Sequence, residues 1–354
     1  MGPVTGGMSA LPTDDKAPSP AAIAGEGAWV SRGPWRRVLD GLLASPTAVI
    51  SGLLLLLIVV ATLLAPAYAA RVAGSDPFRS GLSARIEIDG ERVPVMQQST
   101  EGLGLGVTPI GPTWRAQYFL GADTQGRDVA ARMLYGGRNS LLIAGASTLL
   151  CLALAAVVGI VAGYVGGRVD SVLSNLIDMI WAFPVYLLAI SLSIVMIGKS
   201  YRFGPFEIAS DSLIVPILII GIVYVPYVAR PVRGRVLALN QSEFIMAARG
   251  LGVRRGRILM RHILPNVATT LIVFAPMLMA LNIVTESSLS FLSVGVQPPN
   301  ASWGTILQDG QGLLYSRPMV SMAPGLAIMV TVLLLNLFGD VLRDVLDPKS
   351  ARGR

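Results

Sequence analysis

Polar chemistry is scarce in this chain of 354 residues: only 14% of its side chains are charged, 6% are aromatic, and there is one cysteine and one histidine. Cys151 has no partner for an internal disulfide. Set in an apolar run, it reads as a small buried hydrophobic side chain rather than a reactive thiol. His262 stands alone in a basic stretch, so no His, Cys and carboxylate spacing suited to a metal exists, and it reads as a surface residue. No Gly-x-x-x-x-Gly-Lys-Ser/Thr loop is present, and the glycine-rich Gly102 to Gly106 lacks the lysine that such a loop needs for ATP phosphates. An enzyme working inside a membrane would need a nucleophile or metal cluster in its apolar runs, and none is there. The expectation is a chain without catalysis or cofactor of its own.

What is abundant is hydrocarbon. Hydrophobic residues make up 53% of the chain and its mean hydropathy is +0.63, which places it among integral membrane proteins. A hydrocarbon core about 30 Å thick takes about 20 helical residues to cross. Six runs qualify, near 46–68, 139–164, 172–197, 212–229, 267–290 and 319–339, giving an all-α bundle of six transmembrane helices. The net charge of +7 does not point to nucleic acid, because in such a chain the placement of basic residues matters more than their sum. Between residues 228 and 265 there are eight Arg against one Glu, whereas loops 199–211 and 296–318 together carry three basic and three acidic residues. The basic loop is therefore expected in the cytoplasm, and an even number of spans puts both termini there. Arg32, Arg36 and Arg37 near one end and Lys349, Arg352 and Arg354 at the other agree.

The expected organisation is a disordered cytoplasmic tail over 1–45, a first span at 46–68, an extracytoplasmic insert at 69–138, a five-helix core at 139–341 with a cytoplasmic loop at 230–266, and a cytoplasmic tail at 342–354. Ala67-Tyr68-Ala69 looks like a signal-peptidase site, but the preceding polar stretch is too long, and the first span reads as a retained anchor. In the insert, Arg85 to Val95 alternates apolar and polar residues about Asp89-Gly90, the strongest short hairpin signal, with Pro94 restricting the second arm to an edge. That hairpin either contacts a binding protein or packs on the membrane domain, packing being the favoured reading. Asp123, Arg127, Asp128 and Arg132 follow at spacings that pair Asp123 with Arg127 and Asp128 with Arg132 along a helix, a brace at the outer face.

Ionisable groups inside spans are costly unless they face a bundle interior or water. Asp178 in the third run is thus a pathway residue or an anchor for a neighbouring helix, and Pro184 six residues on should bend that helix. Pro216 and Pro226 interrupt the fourth run; Asn282 and Glu286 lie in the fifth, Glu286 either lining a route or tying helices together. Asp340 and Asp344 flank Arg343 on a helix leaving the membrane.

Between the fourth and fifth runs lies an insert that a plain connection would not need. Ser242 can cap a helix with Glu243 in its first turn, Ala247 and Ala248 give it a small face, and Gly250 and Gly252 end it before a second segment closing at Leu264-Pro265. The product is a compact basic knob. These residues resemble the cytoplasmic Glu-Ala-Ala loop of ABC-importer permeases, with Ala247, Ala248, Gly252, Leu264 and Pro265 in register; Met246 and His262 stand where Glu and Ile are usual. Leu120 to Arg132, Glu286 to Pro299 with Ser302-Trp303-Gly304, and Asn336 to Pro348 are similar to the C-type subunits of dipeptide, oligopeptide and nickel importers.

The resemblance implies a type I ABC-importer permease in the bacterial cytoplasmic membrane that makes half of a translocation route. It implies coupling to two cytoplasmic ATPases, which bind ATP and Mg, through Glu243, Ala247, Ala248, Arg249, Gly252, Leu264 and Pro265. A homologous second permease subunit and an extracytoplasmic substrate-binding protein would complete the assembly, with lipid around it. Peptides are the expected cargo, nickel chelates or another small solute the alternative. An ion-coupled secondary carrier is the rival of a different class, and it would ordinarily show inverted repeats and more intramembrane charge.

Overall fold

A computed structural model describes residues 2, 34–88, 90–99, 106–203, 206–209 and 211–346; most of the expected disordered tail and the chain after 346 lie outside the described residues. Within the tail expected over 1–45, Pro34–Ala44 is helical (α1) and lies against the far end of the chain, where a Cβ on Gly41 would meet Val345 at 2.7 Å. Helix α2, Pro46–Leu63, is opened by Ser45, whose Oγ accepts from the Ala48 N–H at 3.5 Å, and by Pro46, whose missing N–H costs nothing in a first turn.

The insert follows as two small ribbons. β1, Arg85–Ile88, pairs antiparallel with β2, Glu91–Pro94, in the register Ile86 to Val93 and Glu87 to Arg92, so the alternating pattern does form a hairpin. Gly90 takes φ +85 in its turn, and Asp89 lies outside the described residues. A second ribbon, β3 at Met96–Gln98 with β4 at Val107–Pro109, has no comparable turn signal in the sequence. Ile86, Val95, Ile110, Tyr118 and Ala122 give the insert a small core of its own.

Helix α3, Val129–Val165, is the axis of the bundle: it packs against α2 and against nearly every later helix. It starts ahead of the expected boundary at 138, because Asp128 caps it there and its first turns are buried. α4, Gly167–Trp181, and α5, Val185–Met196, meet at 86°, so the single bent span expected at 172–197 is two helices. Pro184 has no N–H to continue the ladder, and a proline disfavours the helical region for the residue before it, which accounts for a break rather than a bend. A third ribbon, β5 at Tyr201–Phe203 with β6 at Phe206–Ile208, leads to α6, Ile214–Val223, and α7, Val225–Asn240, which are bent by 44° just before Pro226. α7 lies close on α3 because Gly159 and Gly163 present no side chain: a Cβ on Gly159 would sit 2.7 Å from Val232 Cγ1 and 2.9 Å from the Ala229 carbonyl oxygen.

α8, Glu243–Gly250, is the knob helix. A turn at Arg255–Ile258 and a π-helical turn at Leu259–Ile263 run into α9, Leu264–Phe291; α10, Trp303–Asp309, and α11, Met319–Leu346, are the last helices among the described residues. α2, α3, α11 and the continuous Arg255–Phe291 rod are long and apolar enough to cross a membrane, and each bent pair counted as one span makes six.

Candidate functional site

The knob is joined to the bundle at named points. Ser242 does not cap α8 as expected: its Oγ donates backwards to the Leu239 carbonyl at 2.5 Å, which tightens the corner between α7 and α8. The other end of α8 stops at Gly252, φ +74, where Val253 N–H donates to Ala248 and Gly252 N–H to Arg249, a left-handed stop that satisfies the last carbonyls. Ile245, Ile258 and Ile263 are fully buried and tie both arms of the knob to the core. Tyr164 Oη donates to the Arg255 carbonyl at 2.7 Å, Asn240 Nδ2 donates to Gly163 at 2.8 Å, and Arg249 Nη2 donates to Asn240 Oδ1 at 3.0 Å. The end of α3 therefore holds the second arm directly and α8 through Asn240 at the end of α7.

Of the expected coupling residues, Glu243, Ala247, Arg249, Gly252, Leu264 and Pro265 are exposed, whereas Ala248 packs inward against the core. Phe244, Met246 and Met260 are exposed and Leu251 is 84% exposed. Arg254, Arg255, Arg257 and Arg261 are exposed as well. His262 is half-buried, its ring 6.0 Å from Phe244.

The four charged residues expected as a brace are brought together, but in a different pairing. Residues 121–128 form a loop rather than a helix, closed by a bridge between Ala122 and Asp128. Arg127 Nε still reaches Asp123 Oδ2 at 2.7 Å. Asp128 does not pair with Arg132: as the α3 cap it accepts from the Ala131 N–H at 3.0 Å and the Tyr118 N–H at 2.8 Å. Burial pushes its carboxyl above the ordinary aspartate value of 3.8, with the nearby Asp123 adding to the rise. Arg132 instead turns to Asp309 at 2.8 Å and Asp123 at 3.3 Å, and Arg127 also meets Asp309 at 2.9 Å. Two arginines and two aspartates thus pin the start of α3 to the end of α10, a partner 177 residues away.

Deeper in the bundle, Glu286 is wholly buried and ties elements together without lining any surface. Ser140 donates to its Oε2 at 2.8 Å and Ser290 to its Oε1 at 2.7 Å, while Ser140 Oγ also accepts from the Trp303 N–H at 3.1 Å. One carboxylate thereby joins α3, α9 and α10. Asn282 donates to Thr148 Oγ1 at 2.9 Å across the same α3 and α9 contact, with its Oδ1 left unpaired. Asp178, by contrast, lies on an open face, where Arg230 Nη2 donates to its Oδ1 at 2.6 Å.

Residues 155–352 match the family described as the binding-protein-dependent transport system inner membrane component. The chain belongs to that family. It is 38% identical over 239 residues to the dipeptide transport system permease protein DppC of Alkalihalophilus pseudofirmus, a match covering 68% of this chain and 74% of that one. With the glutathione transport system permease protein GsiD of Pectobacterium atrosepticum it shares 37% over the same fractions of each chain. Among solved structures, the inward-facing MetNI methionine ABC transporter is 18% identical with a TM-score of 0.49, over 60% of this chain and 95% of that one.

Several residues that organise this permease were not singled out by the sequence reading. Arg230 and Arg233 read only as part of a basic loop, yet both reach back to α4, Arg233 gripping Asp170 at 2.5 and 2.7 Å. Their spacing of three on a helix, facing Asp170 and Asp178, was the available clue. Ser140 and Asp309 offered none, since each matters through a partner far off in the chain.

Proposed function

We propose that this permease forms one membrane half of an ATP-driven importer of short peptides in the cytoplasmic membrane, with the knob and both termini on the cytoplasmic side. The knob carries this reading. A short helix, stopped at Gly252 and linked through Asn240 to the end of α3, can transmit a push along α3 and α7. Its exposed Phe244, Met246, Leu251 and Met260 suit an apolar groove on an ATPase, and its exposed arginines suit acidic partner residues and a cytoplasmic location.

The remaining parts follow from the family. Two ATPase subunits bind ATP and Mg and do the hydrolysis, so this chain is not an enzyme and holds no cofactor. A homologous second permease completes the route, and an extracytoplasmic binding protein delivers cargo; nucleic acid has no role. Relatives named for a dipeptide and for glutathione support short peptides as that cargo. Leu251→Asp tests the knob: it should weaken ATPase association by about 2 kcal/mol, about thirtyfold, as truncated hot spots do. Full ATPase copurification and undiminished ATP-dependent uptake by that variant would remove the knob as the coupling element.

A further inference from the structure

Two ion pairs join the same two helices, α4 and α7, and they differ in kind. Asp170 and Arg233 meet through two bonds, with side chains 19% and 33% exposed, as a clasp between helices should. Asp178 and Arg230 meet through a single bond at 2.6 Å, with side chains 62% and 42% exposed. A single open pair on a bent span is poorly placed against lipid and well placed against water or cargo.

Arg230 lies over the Trp181 ring at 5.1 Å, a contact that keeps the guanidinium in place when its carboxylate partner changes. Trp181 stacks on Tyr227 at 6.2 Å and Tyr227 meets Phe274 edge-on at 6.1 Å, so α4, α7 and α9 together lay an aromatic floor. Both breaks in the spans, at 182–184 and at Tyr224, flank this floor, and interrupted backbone at membrane depth is tolerated where it lines a cavity. Phe274 also lines, with Met277, a cavity of about 510 Å³ that Asp340 and Arg343 border. That volume falls within the range of about 300–1,000 Å³ usual for small-ligand sites.

We propose that Asp178 and Arg230, over the floor of Trp181, Tyr227 and Phe274, form a subsite for the main-chain charges of a passing peptide. The peptide carboxylate takes Arg230 and its ammonium takes Asp178. A zwitterion inserted between the two exchanges one ion pair for two and leaves no charge uncompensated, whereas an end-blocked peptide strands one protein charge. The flat aromatic surface accepts differing side chains without demanding one. The subsite rests on the reading of this chain as a peptide permease, and the test separates the two.

The permease, reconstituted in proteoliposomes with the partners it assembles with, is assayed for ATP-dependent uptake of saturating dialanine and of its C-terminal amide. Arg230→Gln should slow dialanine by about tenfold relative to wild type, the scale of a lost bond to a charged group, and leave the amide at or above its wild-type rate, since the variant no longer strands a guanidinium. Arg230→Lys keeps the point charge without the planar fork and should give a smaller loss, again confined to the free acid. Asp178→Asn against N-acetyl-dialanine runs the same comparison from the other terminus. An equal loss for both peptides, or for neither, overturns the subsite while leaving peptide import standing. A wild-type complex that moves no peptide removes both.

Discussion

At the scale of the residue, the account turns on buried polar groups that work in company. Glu286 has hydroxyl donors on both oxygens, so removing its carboxylate leaves Ser140 and Ser290 without their acceptor inside the bundle. Glu286→Ala should cost about 1–3 kcal/mol, the penalty for stranded buried donors, and Glu286→Gln clearly less, since its amide oxygen still accepts. Thermal unfolding of the purified protein, measured for both variants, checks the order. Asp128 permits a statement about pH. Its folded pKa is raised above 3.8, so the folded state holds the proton more tightly than the unfolded chain does. Stability from this group is therefore greatest in acid and lost as pH rises through the folded value, the reverse of an ordinary salt-bridged aspartate. Measured against Asp128→Asn, the wild type should gain stability as pH falls from neutral toward 4. A relative loss over that range would contradict the assignment. The cost of placing Glu286, Asn282 and Asp178 in apolar runs was legible in the sequence, but their partners were not: Ser140 lies 146 residues from Glu286 and Arg230 lies 52 from Asp178.

At the scale of the element, local chemistry was readable where it is self-contained and misleading where packing decides. The β1–β2 hairpin follows from alternation about a turn dipeptide, and its register needs nothing outside the segment. β5 and β6 have only three residues each and alternate too briefly to stand out. Ser242 has the right side chain for a cap, yet it turns to the Leu239 carbonyl. Asp123 to Arg132 has the spacing of a helix surface and is half loop, because the chain first closes the Ala122 to Asp128 bridge and only then starts α3. α10 shows the opposite case, with a sequence motif whose meaning appears only in packing. Ser302 and Thr305 form a reciprocal capping box, and Gly304 sits so close to α9 that a Cβ would run into the Ser287 carbonyl oxygen. Gly304→Ala should therefore force α10 away from α9 at a cost of about 1–3 kcal/mol, the usual price of overpacking. Increased hydrogen exchange across Trp303–Asp309, with α2 unchanged, is the expected signature; unaltered protection would show that the contact is loose.

At the scale of the whole molecule, six spans and a basic loop were legible from hydropathy and charge alone, because a bilayer demands both. The surfaces that the fold leaves open were not. α4 and α5 expose Met179, Leu187, Ile194 and Val195, and α2 exposes Leu53 and Leu57, more apolar face than α3 can cover from within. Such apolar faces suit lipid or another protein surface, whereas the open Asp178–Arg230 pair on the α4 side is poorly suited to lipid. The central claim is that this chain is passive and is driven through its knob by ATP hydrolysed elsewhere. Its most direct test is dipeptide uptake into proteoliposomes holding the assembled complex, with ATP or an ion gradient supplied separately, in wild type and in Leu251→Asp. The account predicts uptake with ATP alone, abolished or reduced by about tenfold or more when the knob variant loses its ATPase. Uptake driven by the ion gradient without ATP, and indifferent to the knob, would contradict it.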